Sequence, residues 1–366
     1  MRIKKIRAIN YRSLEDVEIE FNPYYNALSG KNNCGKSNII KTILSFLTYD
    51  MRMFASFKNG PINYASDFPY WKTKEKTKES IQIEISIELD KENDAGIFKF
   101  IKELIFKDDE ISEKEKETLH IKAEHKHDNS NTIIDIYFGD VKIVDEYKRE
   151  ELLNRLRSSE SIIFHNSTEN EPFFFTQRKR DSLSSYLTTE DLETITNKKQ
   201  QLESTVKKSL KKHQTEFSSL LGRLTEKYDV SLGIPNLNID RESIEISLKE
   251  KGVEVSLEDW GSGTKNRTLI LLNLMNAKRI QESTNLNKKL TPIVIIEEPE
   301  SFLHPSAQAE FGRILQDLAL EFKIQIIVAT HSPYLLSHKE SKANLLLERD
   351  LSSKDKGSKL VNTEGE

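Results

Sequence analysis

"ALSGKNNCGKSNIIKTILSFL", residues 27–47, runs from an apolar end through a glycine-bearing octet into residues with helical spacing. Ile39, Ile40, Ile43, Leu44 and Leu47 fall on one helix face, so the stretch reads as strand, loop, helix. The octet "GKNNCGKS", residues 30–37, fits the pattern G-x-x-x-x-G-K-[S/T] in the structural context that phosphate binding demands. Gly30 and Gly35 let backbone N–H groups wrap phosphate oxygens, Lys36 reaches the β and γ phosphates, and Ser37 is placed to ligate Mg²⁺. The loop to be tested is therefore Gly30, Lys31, Asn32, Asn33, Cys34, Gly35, Lys36, Ser37 and Asn38, with ATP and Mg²⁺ as its cofactors. The competing reading of the octet alone is an ordinary glycine-bearing turn. Cys34 reads as a small residue in a tight loop, not as a reactive thiol.

Farther along, "LTPIVIIEEPESFLHPSAQ", residues 290–308, ends a buried-type strand in two adjacent acids, Glu297 and Glu298. Carboxylates there are costly unless their charge is compensated. A site built on Lys36 and Ser37 gives both a use: Glu297 holds the metal, directly or through water, and Glu298 orients the attacking water. A solvent-facing pair at a sheet end is the alternative. "IIVATHSP", residues 326–333, repeats the geometry and delivers His331 at a strand's carboxyl end, where open α/β sheets bind ligands. His331 reads as a γ-phosphate sensor, or otherwise as a structural histidine. "DWGSGTKN", residues 259–266, puts Gly261, Ser262 and Gly263 at a helix start, which is either an anion site or a plain cap.

The remaining chain frames these motifs. Short strands are predicted near residues 2–9, 16–21, 24–29, 119–125, 132–138, 161–165, 237–248 and 253–257, with "IQIEISIEL" as another and an acidic helical stretch over 90–117. From 181 to 228 the apolar spacing predicts one long helix or a helical hairpin. The last third alternates strand and helix over 292–297, 305–321, 324–330 and 343–348, which argues a parallel sheet. His125 and His127 share a strand face without acids or cysteines nearby, a solvated edge rather than a metal site.

A length of 366 residues predicts two domains or one with a large insertion. Charged residues at 31% against 36% hydrophobic fit a helix-rich folded chain, and a net charge of −4 confines any nucleic-acid contact to a local patch. One cysteine excludes an intrachain disulfide and a multi-cysteine zinc cluster. With no signal-peptide block and no run near 20 apolar residues, a cytoplasmic location without membrane contact is expected.

In order and spacing, "ALSGKNNCGKS", "DWGSGTKN", "VIIEEPESFLHP" and "VATHSP" resemble the Walker A, signature, Walker B with D-loop, and switch-histidine motifs of an ABC-type ATPase. The "EEPExxLHP" form resembles the OLD (overcoming lysogenization defect) branch, near SMC-like and RecF-like ATPases; the opening "IRAINYRSLEDVEIEFNP" matches that branch's first hairpin, including Arg12. The resemblance implies an α/β, ABC-type P-loop ATPase head with a mostly parallel sheet, an N-terminal antiparallel β part and a large inserted helical lobe. Residues 1–90 and 251–350 would be the halves of the head, 91–250 an inserted lobe for dimerisation, partner or DNA contact, and 351–366 a flexible tail. Three departures stand out: Glu297 in place of aspartate, Asn33 in place of glycine, and Gly261 in place of the signature serine. "SDF", residues 66–68, is the one candidate for the Q-loop.

The resemblance also implies a homodimer, or a higher homo-oligomer, in which one subunit's signature loop completes its partner's ATP site. Many OLD-like proteins carry a C-terminal Toprim nuclease domain, and this sequence ends soon after His331. Nuclease chemistry is thus expected in a separate effector subunit, or in a longer form of the chain. Lys198, Lys199, Lys207, Lys208, Lys211 and Lys212, with "RKR" at 178–180, form a basic cluster that reads as a DNA contact or a solvated helix face. The expected function is an ATPase controlling a nucleic-acid-directed effector in anti-phage defence. The alternatives are a slow-hydrolysing sensor that restrains a toxic partner, and a RecF-like repair ATPase.

Overall fold

A computed structural model describes residues 1–48, 61–74, 78–106, 114–128, 131–158, 161–168, 187–221, 247–250, 253–282, 289–349 and 357–361. The contacts separate two units, one made of residues 1–170 with 258–366 and the other of 171–257.

The first unit is built on a mixed sheet of 12 strands. In chain order these are β1 (Arg2–Tyr11), β2 (Leu14–Glu20), β3 (Tyr25–Ser29), β4 (Ile81–Asp90), β5 (Lys116–His125), β6 (Ile133–Phe138), β7 (Val141–Lys142) and β8 (Ile162–Asn166). The second unit holds the hairpin β9 (Ser247–Glu250) and β10 (Val253–Ser256). The first then resumes with β11 (Ile293–Glu297), β12 (Gln325–Ala329), β13 (Asn344–Arg349) and β14 (Ser358–Val361). Across the sheet the order is β7-β6-β5-β4-β1-β2-β14-β13-β3-β12-β11-β8.

Its two halves differ for a reason visible in the residues. β4, "IQIEISIELD", buries Ile81, Ile83, Ile85, Ile87 and Leu89 and turns the residues between them outward, as an antiparallel strand with one packed face does. β11 and β12 are buried almost throughout and run parallel, with β3 and β8 on either side. Such strands need cover on both faces. Ile39, Ile40 and Ile43 of the helix Lys36–Leu47 share one core with Ile293, Ile295 and Ile327, joined by Leu152 and Leu156 of the helix Glu146–Ser158. On the opposite face, Ile270 and Leu274 of the helix Ser262–Gln281 and Phe311 and Leu315 of the helix Pro305–Glu321 pack with Val294, Ile296 and Val328. Gln325 ties the halves together: its Oε1 accepts the Ile3 N–H at 2.8 Å and its Nε2 donates to the Ile3 and Asn22 carbonyls, each at 2.9 Å.

Three sequence expectations change. β5 to β8 lie in the head's own sheet, so the separate unit begins at 171 rather than 91. Local alternation marks a strand but not the strand it will pair with. The polar tail from 351 contributes β14, which sits between β2 and β13 with Ser358 fully buried. Among the described residues of the stretch 90–117, the α-helix covers Ala95–Phe100 and continues as a π-type turn over Ile101–Phe106, while β5 begins at Lys116.

In the second unit, Thr189–Leu221 is one continuous helix. Lys198, Lys208 and Lys211 are exposed on it, and Lys199 is half-buried. "RKR" at 178–180 and the expected strand over 237–246 lie outside the described residues.

Candidate functional site

β3, β12, β11 and β8 are parallel neighbours, so their carboxyl ends reach one edge of the sheet. β3 delivers the octet, β12 delivers His331, β11 delivers Glu297 and Glu298, and β8 ends at Asn166, in register with Glu297.

The phosphate loop depends on backbone angles that side chains resist. Gly30 has φ 139° and Gly35 φ 109°, and Asn33 takes the left-handed region at φ 64°, which Asn tolerates better than most residues. A Cβ at Gly35 would lie 2.8 Å from Ser358 Oγ and 3.0 Å from Ser13 Oγ, and one at Gly30 would strike the Leu347 carbonyl. β13, β14 and the β1–β2 turn therefore brace the loop. Asn38 Nδ2 donates to Ser13 Oγ at 2.8 Å, and Ser358 N donates to the Ser13 carbonyl at 2.6 Å. Cys34 is buried in this packing.

Lys36 is 6% exposed, and its ammonium donates to the Gly30 carbonyl at 2.9 Å and the Lys31 carbonyl at 3.3 Å. His331 Nε2 lies 3.1 Å from Lys36 Nζ. Burial pulls the Lys36 ammonium below its ordinary value, while Cys34, Glu298 and Glu300 act in the other direction. The acids and the lysine thus share one electrostatic neighbourhood.

Glu298 takes a left-handed backbone, φ 51°, and its N–H donates to the Ala329 carbonyl at 2.8 Å. That bend ends β11 and turns the chain into the segment that carries Glu300. Glu300 Oε1 accepts the His331 backbone N–H at 2.6 Å, and Oε2 is buried without a hydrogen-bond partner. Burial and, secondarily, Glu300 raise the phenol of Tyr25, whose OH donates to the Leu335 carbonyl at 2.6 Å. In the sequence Glu300 is marked by nothing more than being a third acid in "EEPE".

Two predicted groups pair with each other. The guanidinium of Arg12 is 2.8 Å from Asp67 Oδ1, and the Arg12 N–H donates to the Asp67 carbonyl at 2.6 Å. Asp67 belongs to the "SDF" candidate, so that segment anchors the first hairpin, while Asn166 and Ser167 at the end of β8 lie beside Glu297. Ser167 N donates to the Glu297 carbonyl at 3.1 Å. Tyr11, buried behind Arg12, is pushed up to about 12 by burial and by Asp67.

Gly261 caps the helix Ser262–Gln281, its carbonyl accepting from Thr264 N and Lys265 N at 3.0 Å each. Gly263 lies against the Phe302 carbonyl, 2.6 Å from where its Cβ would stand. This helix packs on β11 and β8, two strands or more from β3. Between β8 and the helix, His165 Nε2 meets Asn266 Oδ1 at 2.8 Å, and Asn273 Nδ2 lies 3.4 Å from His165 Nδ1.

The donor set suits a magnesium–nucleotide pair. A cavity of about 1070 Å³ opens on the other side of the loop from Ser37 and Glu297, between Gly30, Lys31, Asn32 and His331 and the strands β13 and β14. Among the described residues no cluster of three or more His, Cys, Asp or Glu could hold a metal alone. Mg²⁺ fits such a place, since it binds through few protein ligands plus water and substrate phosphates. Exposed Ser37 and half-buried Glu297 are the protein ligands on offer.

A mixed sheet whose parallel half gathers a glycine-bearing loop, strand-end acids and a histidine at one edge is the arrangement of a P-loop ATPase domain. The chain belongs to the AAA ATPase domain family, whose model matches residues 1–336. It is 28% identical over 156 residues to an OLD nuclease of Thermus scotoductus, covering 42% of this chain and 27% of that protein. It is 25% identical over 115 residues to the endonuclease GajA of Bacillus cereus, covering 29% of this chain and 17% of that one. The Old nuclease of Escherichia phage P2 is 30% identical over 95 residues, 26% of this chain and 16% of that protein. The chain therefore matches only about a quarter or less of each relative's length.

In fold it is similar to an Smc head bound to the C-terminal winged-helix domain of ScpA, with a TM-score of 0.53 and 15% identity over 99% of this chain and 98% of that one. The Smc head of Pyrococcus furiosus with an extended coiled coil gives 0.52 and 15% over 98% and 96%. No helix among the described residues is long and apolar enough to cross a membrane.

Proposed function

We propose that this chain binds ATP with Mg²⁺, hydrolyses it, and pairs with a second copy around the nucleotide to control a nucleic-acid-directed effector, a nuclease acting in anti-phage defence. The observation that carries the reading is the meeting of Lys36 with His331 at 3.1 Å, within the field of Glu298. When bound, Mg²⁺ would supply positive charge that offsets the phosphates' own. Lys36 would leave the Gly30 and Lys31 carbonyls for those phosphates, Glu298 would orient water, and His331 would face the terminal phosphate. Ser37 and Glu297 would hold the metal.

The position of the signature loop supports head-to-tail pairing. Adjacent strands are about 4.8 Å apart, so β11 and β8, on which this helix packs, lie roughly 10 Å or more from β3. Exposed Gly261 and Ser262 are then free to meet the phosphates bound by another copy. Support for a nuclease effector comes from the relatives, all three named as nucleases. Exposed lysines on the helix Thr189–Leu221 support a DNA contact.

A slow-turnover sensor is the second reading, favoured by the bonds that Lys36 already makes to Gly30, Lys31 and His331, which nucleotide must displace. Phosphate release and mass in solution, measured with Mg²⁺-ATP with and without duplex DNA, separate the readings. Hydrolysis that DNA accelerates, with ATP-dependent dimers, supports the first. A flat, very slow rate supports the sensor, and no ATP binding at all overturns both.

A further inference from the structure

Glu300 has no part in the chemistry argued above, yet it stands at the centre of the site. Its Oε1 accepts the His331 N–H at 2.6 Å, a length typical of a bond strengthened by charge. Its Oε2 is shut away from solvent with no hydrogen-bond partner. A backbone amide can be satisfied by a neutral oxygen, whereas a buried carboxylate oxygen left unmatched is unfavourable. Glu300 also acts electrostatically on Lys36 and Tyr25.

The surrounding bonds show what Glu300 joins. Its carbonyl accepts from Leu303 N at 3.0 Å, in the segment whose Phe302 carbonyl lies against Gly263. Its carboxylate holds His331, and the His331 ring stands 3.1 Å from Lys36 Nζ. A continuous path thus runs from the start of the helix Ser262–Gln281 through residues 300–303 and His331 to the phosphate loop.

Resting on the reading of this edge as a nucleotide site, we propose that Glu300 is a positioning residue: it ties the segment after Glu298 to the His331 loop, fixing the His331 ring against Lys36 and coupling the signature loop to the phosphate loop. Glu300→Ala frees the His331 N–H, and the ring leaves its place. Glu300→Gln keeps a neutral acceptor and holds the ring less firmly.

The test uses the full chain with ¹⁵N-labelled histidine, the His331 ring resonance being the one lost in His331→Gln. Glu300→Ala is expected to move that resonance, and Glu300→Gln to move it less than half as far, with thermal midpoints unchanged. Should Glu300→Ala fail to fold, Glu300→Asp, whose carboxylate stops one methylene short, gives the same reading. An unmoved resonance, or equal shifts in the Ala and Gln variants, overturns the proposal. The measurement needs no nucleotide, so failure of wild type to bind ATP is a separate result. If wild type hydrolyses ATP, Glu300→Ala should lower kcat at least fivefold with KM changed less than twofold, and add nothing in a His331→Ala background. Losses that multiply across the two substitutions contradict positioning through His331.

Discussion

His331 Nε2 stands 3.1 Å from the Lys36 ammonium, although 295 residues separate the two in sequence. Two parallel strands make that meeting possible, since β3 and β12 are hydrogen-bonded neighbours that end at the same edge. Lys36→Ala removes the ammonium and leaves the helix Lys36–Leu47 its apolar face. ATP affinity, measured by titration calorimetry, should fall at least a hundredfold while the circular dichroism spectrum is retained. Unchanged affinity would place the nucleotide elsewhere.

Gly263 has no room for a side chain. Gly263→Ala would put a Cβ 2.6 Å from the Phe302 carbonyl, so one segment must shift. A cost of about 1–3 kcal/mol in stability is expected, the range for overpacking. ATP-dependent pairing should weaken more than ATP binding, because Lys36 and its loop are untouched. Light scattering and nucleotide titration on the same variant check the difference.

His165 is buried between β8 and the helix Ser262–Gln281, facing Asn266 and Asn273. Burial lowers its proton affinity below the ordinary value of 6.5, only partly offset by Asn266. The unfolded chain then binds a proton that the folded chain refuses, so stability is full above about pH 6.5 and falls as pH drops below it. The slope contributed is at most about 1.4 kcal/mol per pH unit. His165→Gln should lower stability at neutral pH and flatten that acid limb, as read from urea denaturation at several pH values. An identical slope in both proteins would take His165 out of the titration.

The parts legible in sequence are those in which local pattern and chemistry agree. The octet, the alternation of β4 and the apolar runs of β11 and β12 each carry their own reading. What stayed hidden is nonlocal. β14 is four residues of a polar tail that become a strand only because β2 and β13 leave a place between them. The extent of the head past residue 91 is not legible, because nothing in the sequence of β5 or β6 announces pairing with β4. Glu300 bonds a backbone amide 31 residues away, a contact no spacing rule reports. Arg12 was singled out, but its partner Asp67 lies on a separate short helix, Tyr64–Asp67.

Glu298 offers the most direct test of the proposed function, because its carboxylate lies close enough to Lys36 to influence it and its bent backbone ends β11. Removing a group that orients or deprotonates water typically costs about a hundredfold or more in rate. Phosphate release under saturating Mg²⁺-ATP should therefore drop by about that factor in Glu298→Gln. ATP affinity should hold and the nucleotide-bound dimer should persist longer. Turnover at the wild-type rate in Glu298→Gln would contradict the account.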